Sequence, residues 1–302
     1  MNNEPRTGTL DVGGARLFYE ARGRGPVLLI TDSGGGEVDR FEPFAAALAD
    51  DFTVVTYDRR GFGRSPADDP AEPVSFTLHA RDAHRLLDAL TTAPAGVVSM
   101  GLGVANALLL ARQDPSRVGL VIAHEPLLPA LIGGAAGARF DQELAELETL
   151  YLRDGLAAAV VRISGLLGAQ RGDQRNVENS LASDRAAVTA RTPAAAPPRR
   201  GPGQRTANFD VILRNEIPAA RALTVDVTAI RDEGVRIVAA TGAMSAAGLL
   251  GPSSARGLAA TLGDAVVAFS GGHNPHITHP TEAAAEVRAI AAPALGDVSA
   301  NR

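Results

Sequence analysis

Six short apolar runs, separated by segments of helical length with an apolar stripe, set the strongest limit on how this chain can fold. The runs are Val27–Thr31, Phe52–Tyr57, Gly96–Met100, Val118–His124, Val235–Ala240 and Ala265–Ser270, near-continuous in Val, Ile, Leu and Ala. A strand that alternates apolar and polar residues covers one face only. A continuous apolar run suits a strand covered on both faces, as in a parallel sheet between helices. Helical spacing predicts helices over Phe41–Ala49, Thr77–Leu90, Gly103–Gln113, Ser253–Leu262 and Thr281–Ile290. This βαβα succession predicts the α/β class, with an open, doubly wound, mostly parallel sheet and helices on both sides. Thr9–Val12 and Arg16–Ala21, joined at Gly13–Gly14, read as a hairpin ahead of it.

The alternation breaks once. From Pro126 to about Val225 no strand run is present, only helical stretches such as Asp141–Leu152 and Asp154–Leu167. Residues 126–225 are therefore expected to form a helical cap, or lid, inserted in a core made of 1–125 and 226–302. Such an insertion would cover the strand C-termini, where open α/β sheets bind ligands. Within it, residues 192–204 (TPAAAPPRRGPGQ) hold four Pro and two Gly and are expected to be a mobile loop.

Composition removes whole classes of chemistry. Cys is absent from the 302 residues, which excludes disulfides, thiol nucleophiles and thiolate metal sites. All 29 basic residues are Arg, so Schiff-base chemistry and the phosphate-loop lysine are also excluded. With a net charge of −5, no Trp and three Tyr, neither phosphate neutralisation nor base stacking is supported, and no nucleic-acid partner is expected. Met1–Leu10 is polar, and no apolar run approaches the roughly 18 residues of a membrane helix, so a cytoplasmic protein without membrane contact is expected. The composition is consistent with a high-GC bacterial genome. Neither a cofactor nor a metal is implied; His273, His276 and His279 are spaced H-x-x-H-x-x-H, but Pro275 interrupts helical spacing.

Five stretches, in order, resemble the α/β-hydrolase fold, especially small capped actinobacterial hydrolases. Ser33–Gly36 follows the first parallel strand, where the family places its oxyanion loop. Tyr57–Ser65 is similar to the family's D-x-R-G-x-G-x-S turn, and Ser99–Gly103 stands at the strand-to-helix elbow. His124-Glu125-Pro126 ends the next strand, and Gly271-Gly272-His273 looks like the loop that bears the catalytic histidine. The match covers both halves of the chain but not the cap.

Three departures suggest a degenerate triad. The family's elbow is G-x-S-x-G with its serine exposed on a sharp turn, but here the central residue is Gly101, which cannot form an acyl intermediate. After Val235–Ala240, where relatives carry the acid, this chain has Met244, and a thioether cannot hold an imidazole tautomer. Asp32, just before the oxyanion-loop glycines, would oppose a developing oxyanion.

The candidates then follow. His273 can act as a general acid or base near neutral pH without a serine. Asp32 could couple to it, or be a solvated turn residue. Glu125 could replace the lost acid, as in some relatives, or be part of the cap-entry motif. Ser33, Gly34, Met100, Gly101, Leu102, Met244 and His276 are expected to line the substrate site, with backbone N–H groups of the oxyanion loop and Leu102 as donors. Ser99 is the nearest hydroxyl to the missing nucleophile, and Arg59 and Arg60 could bind an acidic group or brace their loop with Asp58.

Three readings stay open. The first is a cofactor-free enzyme using His-based acid/base catalysis on a small apolar, polyketide-like specialised metabolite, by elimination, cyclisation, rearrangement or water attack. The second is a ligand-binding pseudohydrolase, and the third a hydrolase with a displaced nucleophile.

Overall fold

The computed structural model describes residues 4–31, 38–69, 75–168 and 204–296. The loop expected over 192–204 lies outside them apart from Gln204, and so do Asp32, Ser33 and Gly34.

The chain opens with β1 (Arg6–Asp11) and β2 (Arg16–Gly23), an antiparallel pair in register from Arg6 opposite Ala21 to Asp11 opposite Arg16. Gly13 and Gly14 have φ of 67° and 79° and Val12 N–H closes the turn on Ala15 C=O, the left-handed pair that a two-residue hairpin needs. β3 (Val27–Thr31), β4 (Thr53–Tyr57), β5 (Ala95–Met100), β6 (Val118–His124), β7 (Arg236–Gly242) and β8 (Val267–Phe269) complete one eight-stranded sheet. Its order is β1-β2-β4-β3-β5-β6-β7-β8, parallel from β4 to β8 and antiparallel at β1–β2 and β2–β4.

The continuous apolar runs do what their composition predicts. Every residue of β3 and β5 is buried, because alternate side chains enter two different cores. Leu29, Val55, Val97, Val121 and Ile237 pack with α2 (Phe76–Leu90) and α3 (Gly103–Gln113). Leu28, Val54, Val98, Leu120 and Ile122 pack with α1 (Glu42–Leu48) and the C-terminal helix Pro280–Leu295 on the other side. Burying one such side chain contributes roughly 1.5–3 kcal/mol, so each strand is held from both faces. Ser75 caps α2, its Oγ accepting from Leu78 N–H at 3.2 Å.

Between β6 and β7 the described residues form helices and connecting loops, with no strand: α4 (Gly134–Asp154), α5 (Leu156–Leu166), α6 (Gln204–Val211), a π-helical turn (Ile212–Glu216), α7 (Ile217–Ala222) and α8 (Val227–Asp232). Phe140, Leu144, Leu147, Ile212 and Ile217 share the core cluster of α2 and α3, so this insertion packs on one side of the sheet. After β7 come α9 (Leu250–Leu262), β8, the short α10 (Pro275–Thr278) and α11 (Pro280–Leu295).

Candidate active site

The strand-to-helix bend between β5 and α3 is intact in backbone and empty in side chain. Gly101 sits on it with φ of 57°, in the left-handed region where a Cβ is strained. Its N–H donates to His124 C=O at 3.0 Å and its C=O accepts from Leu127 N–H at 3.3 Å, tying the bend to the end of β6. Met100 and Leu102, on either side, are buried, and Met100 is the strand partner of His124. Ser99 is fully buried, its Oγ accepting from Thr31 Oγ1 at 2.8 Å, and so bridges β5 and β3 inside the sheet.

Two predicted residues meet at the end of β6. His273 Nδ1 lies 2.8 Å from Glu125 Oε2, although 148 residues separate them in sequence. The other carboxylate oxygen, Oε1, accepts from Gly242 N–H at 2.9 Å and from Thr241 Oγ1 at 3.1 Å. Glu125 is the one non-glycine residue with positive φ among the described residues, at 45°, and its N–H donates to Ala240 C=O at 2.9 Å. That bend turns the side chain out of the strand's alternation and toward the histidine loop. Gly251, at the start of α9, makes the room: a Cβ there would lie 2.8 Å from Glu125 Cβ.

Burial pushes the Glu125 carboxyl up, but the hydrogen bond and charge of the His273 ring, with His124 and Ser245 adding to them, outweigh it and hold the carboxyl at about 2. Glu125 is therefore a carboxylate at neutral pH, and the proton between the two groups sits on Nδ1, leaving Nε2 as the basic nitrogen. The histidine loop is braced from behind. Glu286 on α11 accepts from Ser270 N–H at 2.9 Å and from Ser270 Oγ at 2.8 Å. Gly271, with φ of 85°, leaves no space for a side chain, since a Cβ would lie 2.6 Å from His279 Nδ1.

The remaining candidates divide. His276 is buried, stacked on Phe41 at 4.3 Å between ring centres, with Nδ1 unpartnered. Burial, with Arg40, His124 and His273 nearby, pushes its imidazole well down, so it is neutral. The Met244 side chain is 59% exposed, and Glu125 is the residue that faces the imidazole. The brace expected between Asp58 and its neighbouring arginines is built differently: Arg64 takes Asp58, with Nε to Oδ2 at 2.6 Å, and Arg60 takes Asp82 through two 2.8 Å bonds. Arg59 reaches Glu216 in the inserted helices. Among the described residues, no group of three or more His, Asp or Glu side chains could hold a metal ion, and no helix is long and apolar enough to cross a membrane.

The sequence pattern of the alpha/beta hydrolase family matches residues 27–287, from β3 into α11. This chain is a member of the alpha/beta hydrolase family. The hydrolase YraK of Bacillus subtilis is 40% identical over 141 residues, which is 47% of this chain and 52% of YraK. The hydrolase RutD of Azorhizobium caulinodans is 38% identical over 106 residues, 35% of this chain and 39% of RutD. The chain thus aligns with about half or less of these relatives. Among solved structures, the enol-lactonase from Burkholderia xenovorans LB400 superposes with a TM-score of 0.66 at 18% identity, over 94% of this chain and 99% of that one. At that identity the likeness speaks for the fold alone.

The family pattern and the residues that carry the site were not equally visible in sequence. Thr241, Gly242, Gly251 and Glu286 support the Glu125–His273 pair, and none belongs to a local motif. The Gly-Gly before His273 was the one available signal, since paired glycines mark a tight approach.

Proposed function

We propose that this hydrolase-family chain is a cofactor-free acid/base enzyme in which His273, oriented by Glu125, moves protons on a small apolar substrate held beneath the helical cap of residues 126–225. The observation that carries the reading is the 2.8 Å contact of Nδ1 with a buried carboxylate beside a bend that offers no nucleophile. Glu125 fixes the tautomer, so Nε2 takes the proton and the imidazolium that forms is stabilised by the adjacent charge. Water is the nucleophile that this arrangement favours. Nε2 takes a proton from water as its oxygen bonds to a substrate carbonyl, and the same proton is returned to the leaving group. Leu102 N–H, on the helix side of the bend, is the donor for the carbonyl oxygen. The names of the relatives agree with hydrolysis; elimination, cyclisation or rearrangement of a polyketide-like metabolite would begin with the same proton abstraction.

His273→Ala tests this. Turnover of small lactones and aryl esters by the wild type, lost by more than about 100-fold in the variant, is expected, since general acid/base catalysis contributes roughly 10²–10⁴-fold. An active-site serine probe should leave the wild type unlabelled. Wild-type binding of these compounds with no turnover would replace the reading with a binding-only protein.

A further inference from the structure

A second buried polar cluster lies where β4, α2 and the inserted helices meet, and the acid/base reading makes no use of it. Tyr57 ends β4, on the same edge of the sheet as the β5 bend, with β3 between them. Its hydroxyl is buried and has no hydrogen-bond partner. His79 on α2 is 1% exposed; its Nε2 lies 3.5 Å from Glu216 Oε1, and neither ring nitrogen makes a geometrically formed hydrogen bond. Glu216, at the end of the π-helical turn, is paired with Arg59, whose guanidinium lies 4.3 Å above the Phe62 ring. Arg59 and Glu216 are 3% and 2% exposed.

Buried polar groups without partners are rare and call for an explanation. The charges here offer none, because Arg59 and Glu216 neutralise each other and leave no net attraction for an ion. What is left over is specific. Burial holds the Tyr57 phenol protonated, so it presents an O–H. Burial also keeps His79 neutral against the opposing pull of Glu216. The Glu216 carboxylate 3.5 Å from Nε2 favours the tautomer with its proton there, which gives His79 a lone pair at Nδ1. Tyr57 and His79 both feel Arg59, Glu216 and Asp82, and one donor and one acceptor around that shared group match a hydroxyl, which accepts and donates at once, and match a carbonyl or a carboxylate only by half. Phe62 adds an aromatic face, tilted against the His79 ring at 6.0 Å between centres.

We propose that Tyr57 and His79 form a binding subsite for the hydroxyl group of a small, largely apolar ligand. This deepens the proposed function by giving the substrate a hydroxyl remote from the bond that reacts. Arg59–Glu216 then acts as the fixed frame that orients His79 and closes the subsite from the side of the insertion.

The experiment uses the full chain, labelled with ¹⁵N on histidine, titrated with benzyl alcohol and with toluene. Benzyl alcohol is expected to shift the His79 Nδ1 resonance saturably, and toluene to leave it in place. Tyr57→Phe should weaken the alcohol about tenfold, the worth of one hydrogen bond, while the ligand-free Tm holds, because the phenol oxygen has no protein partner to lose. An unmoved His79 resonance at the solubility limit of the alcohol overturns the proposal, as does equal binding by the Phe variant or a fall in its ligand-free Tm. Each of these assigns the cluster to internal water or to structure alone. The alcohol–toluene comparison needs only the wild type, so it stands even if the variant fails to fold. Benzyl alcohol binding by His273→Ala separates this subsite from the acid/base reading, which fails through lost turnover instead.

Discussion

Replacing Glu125 by Gln keeps the shape of the side chain and removes its charge, which makes it the sharpest probe of the site. The carboxyl stands at about 2 in the folded chain against an ordinary 4.5, a preference for the charged form of about 3 kcal/mol. The sign follows from the depression: the folded state binds this proton less readily than the unfolded chain. Its stabilisation is therefore complete above pH 4.5 and is lost as pH falls from 4.5 toward 2. Urea unfolding across that window should show the wild type losing about 3 kcal/mol more than Glu125→Gln. The amide has a second consequence. Its oxygen can still accept from Gly242 N–H and Thr241 Oγ1, which turns its NH₂ toward His273 Nδ1. The imidazole must then accept at Nδ1 and carry its proton on Nε2, the wrong tautomer for a base. Turnover should fall by the order of 10⁴-fold, as amide exchange of the orienting acid does in triads. Imidazole ¹⁵N spectra read the tautomer directly. A variant that keeps its proton on Nδ1, or that loses stability in parallel with the wild type below pH 4.5, refutes the argument.

Two further outcomes can be checked separately. Gly101→Ser puts a hydroxyl on the β5 bend and should gain labelling by a fluorophosphonate, at a stability cost of roughly 1–2 kcal/mol for a side chain at φ of 57°; an unlabelled, folded variant would show that the imidazole is not aimed at the bend. His124, buried with both ring nitrogens unpartnered, is pushed down by burial to about 4. Its depressed value means that the wild type loses about 3 kcal/mol as pH falls from 6.5 to 4, so His124→Phe should flatten thermal unfolding over that range by about this amount.

The sheet was legible because its information is local. A strand such as Val118–His124 declares itself by six consecutive positions that tolerate no charge, and the register follows from covering both faces. The edges were less so: the first strand begins at Arg6 and not Thr9, since backbone pairing with Ala21 and Glu20 extends it through polar residues. The final strand shortens to Val267–Phe269, where pairing with β7 ends at Gly242. The site was legible residue by residue, and its connections were not. Glu125 read equally well as a structural residue because its φ of 45° follows from the packing of β7 and α9 against it, not from Glu-Pro itself. Arg59 and Glu216, 157 residues apart, carry no local pattern that would join them.

Drawing the imidazole's partner from the end of β6 leaves the neighbouring β7 turn only the task of holding that carboxylate, through Gly242 N–H and the hydroxyls of Thr241 and Ser245. The side chains of Ala243 and Met244 are thereby unconstrained by proton transfer, and their exposure puts them on the outside, where sequence change is cheap. That turn can therefore take a conjugated label on either side chain, but its length is fixed, because Ala243 N–H and Met244 N–H donate to the C=O groups of Phe269 and Gly271 at the base of the histidine loop.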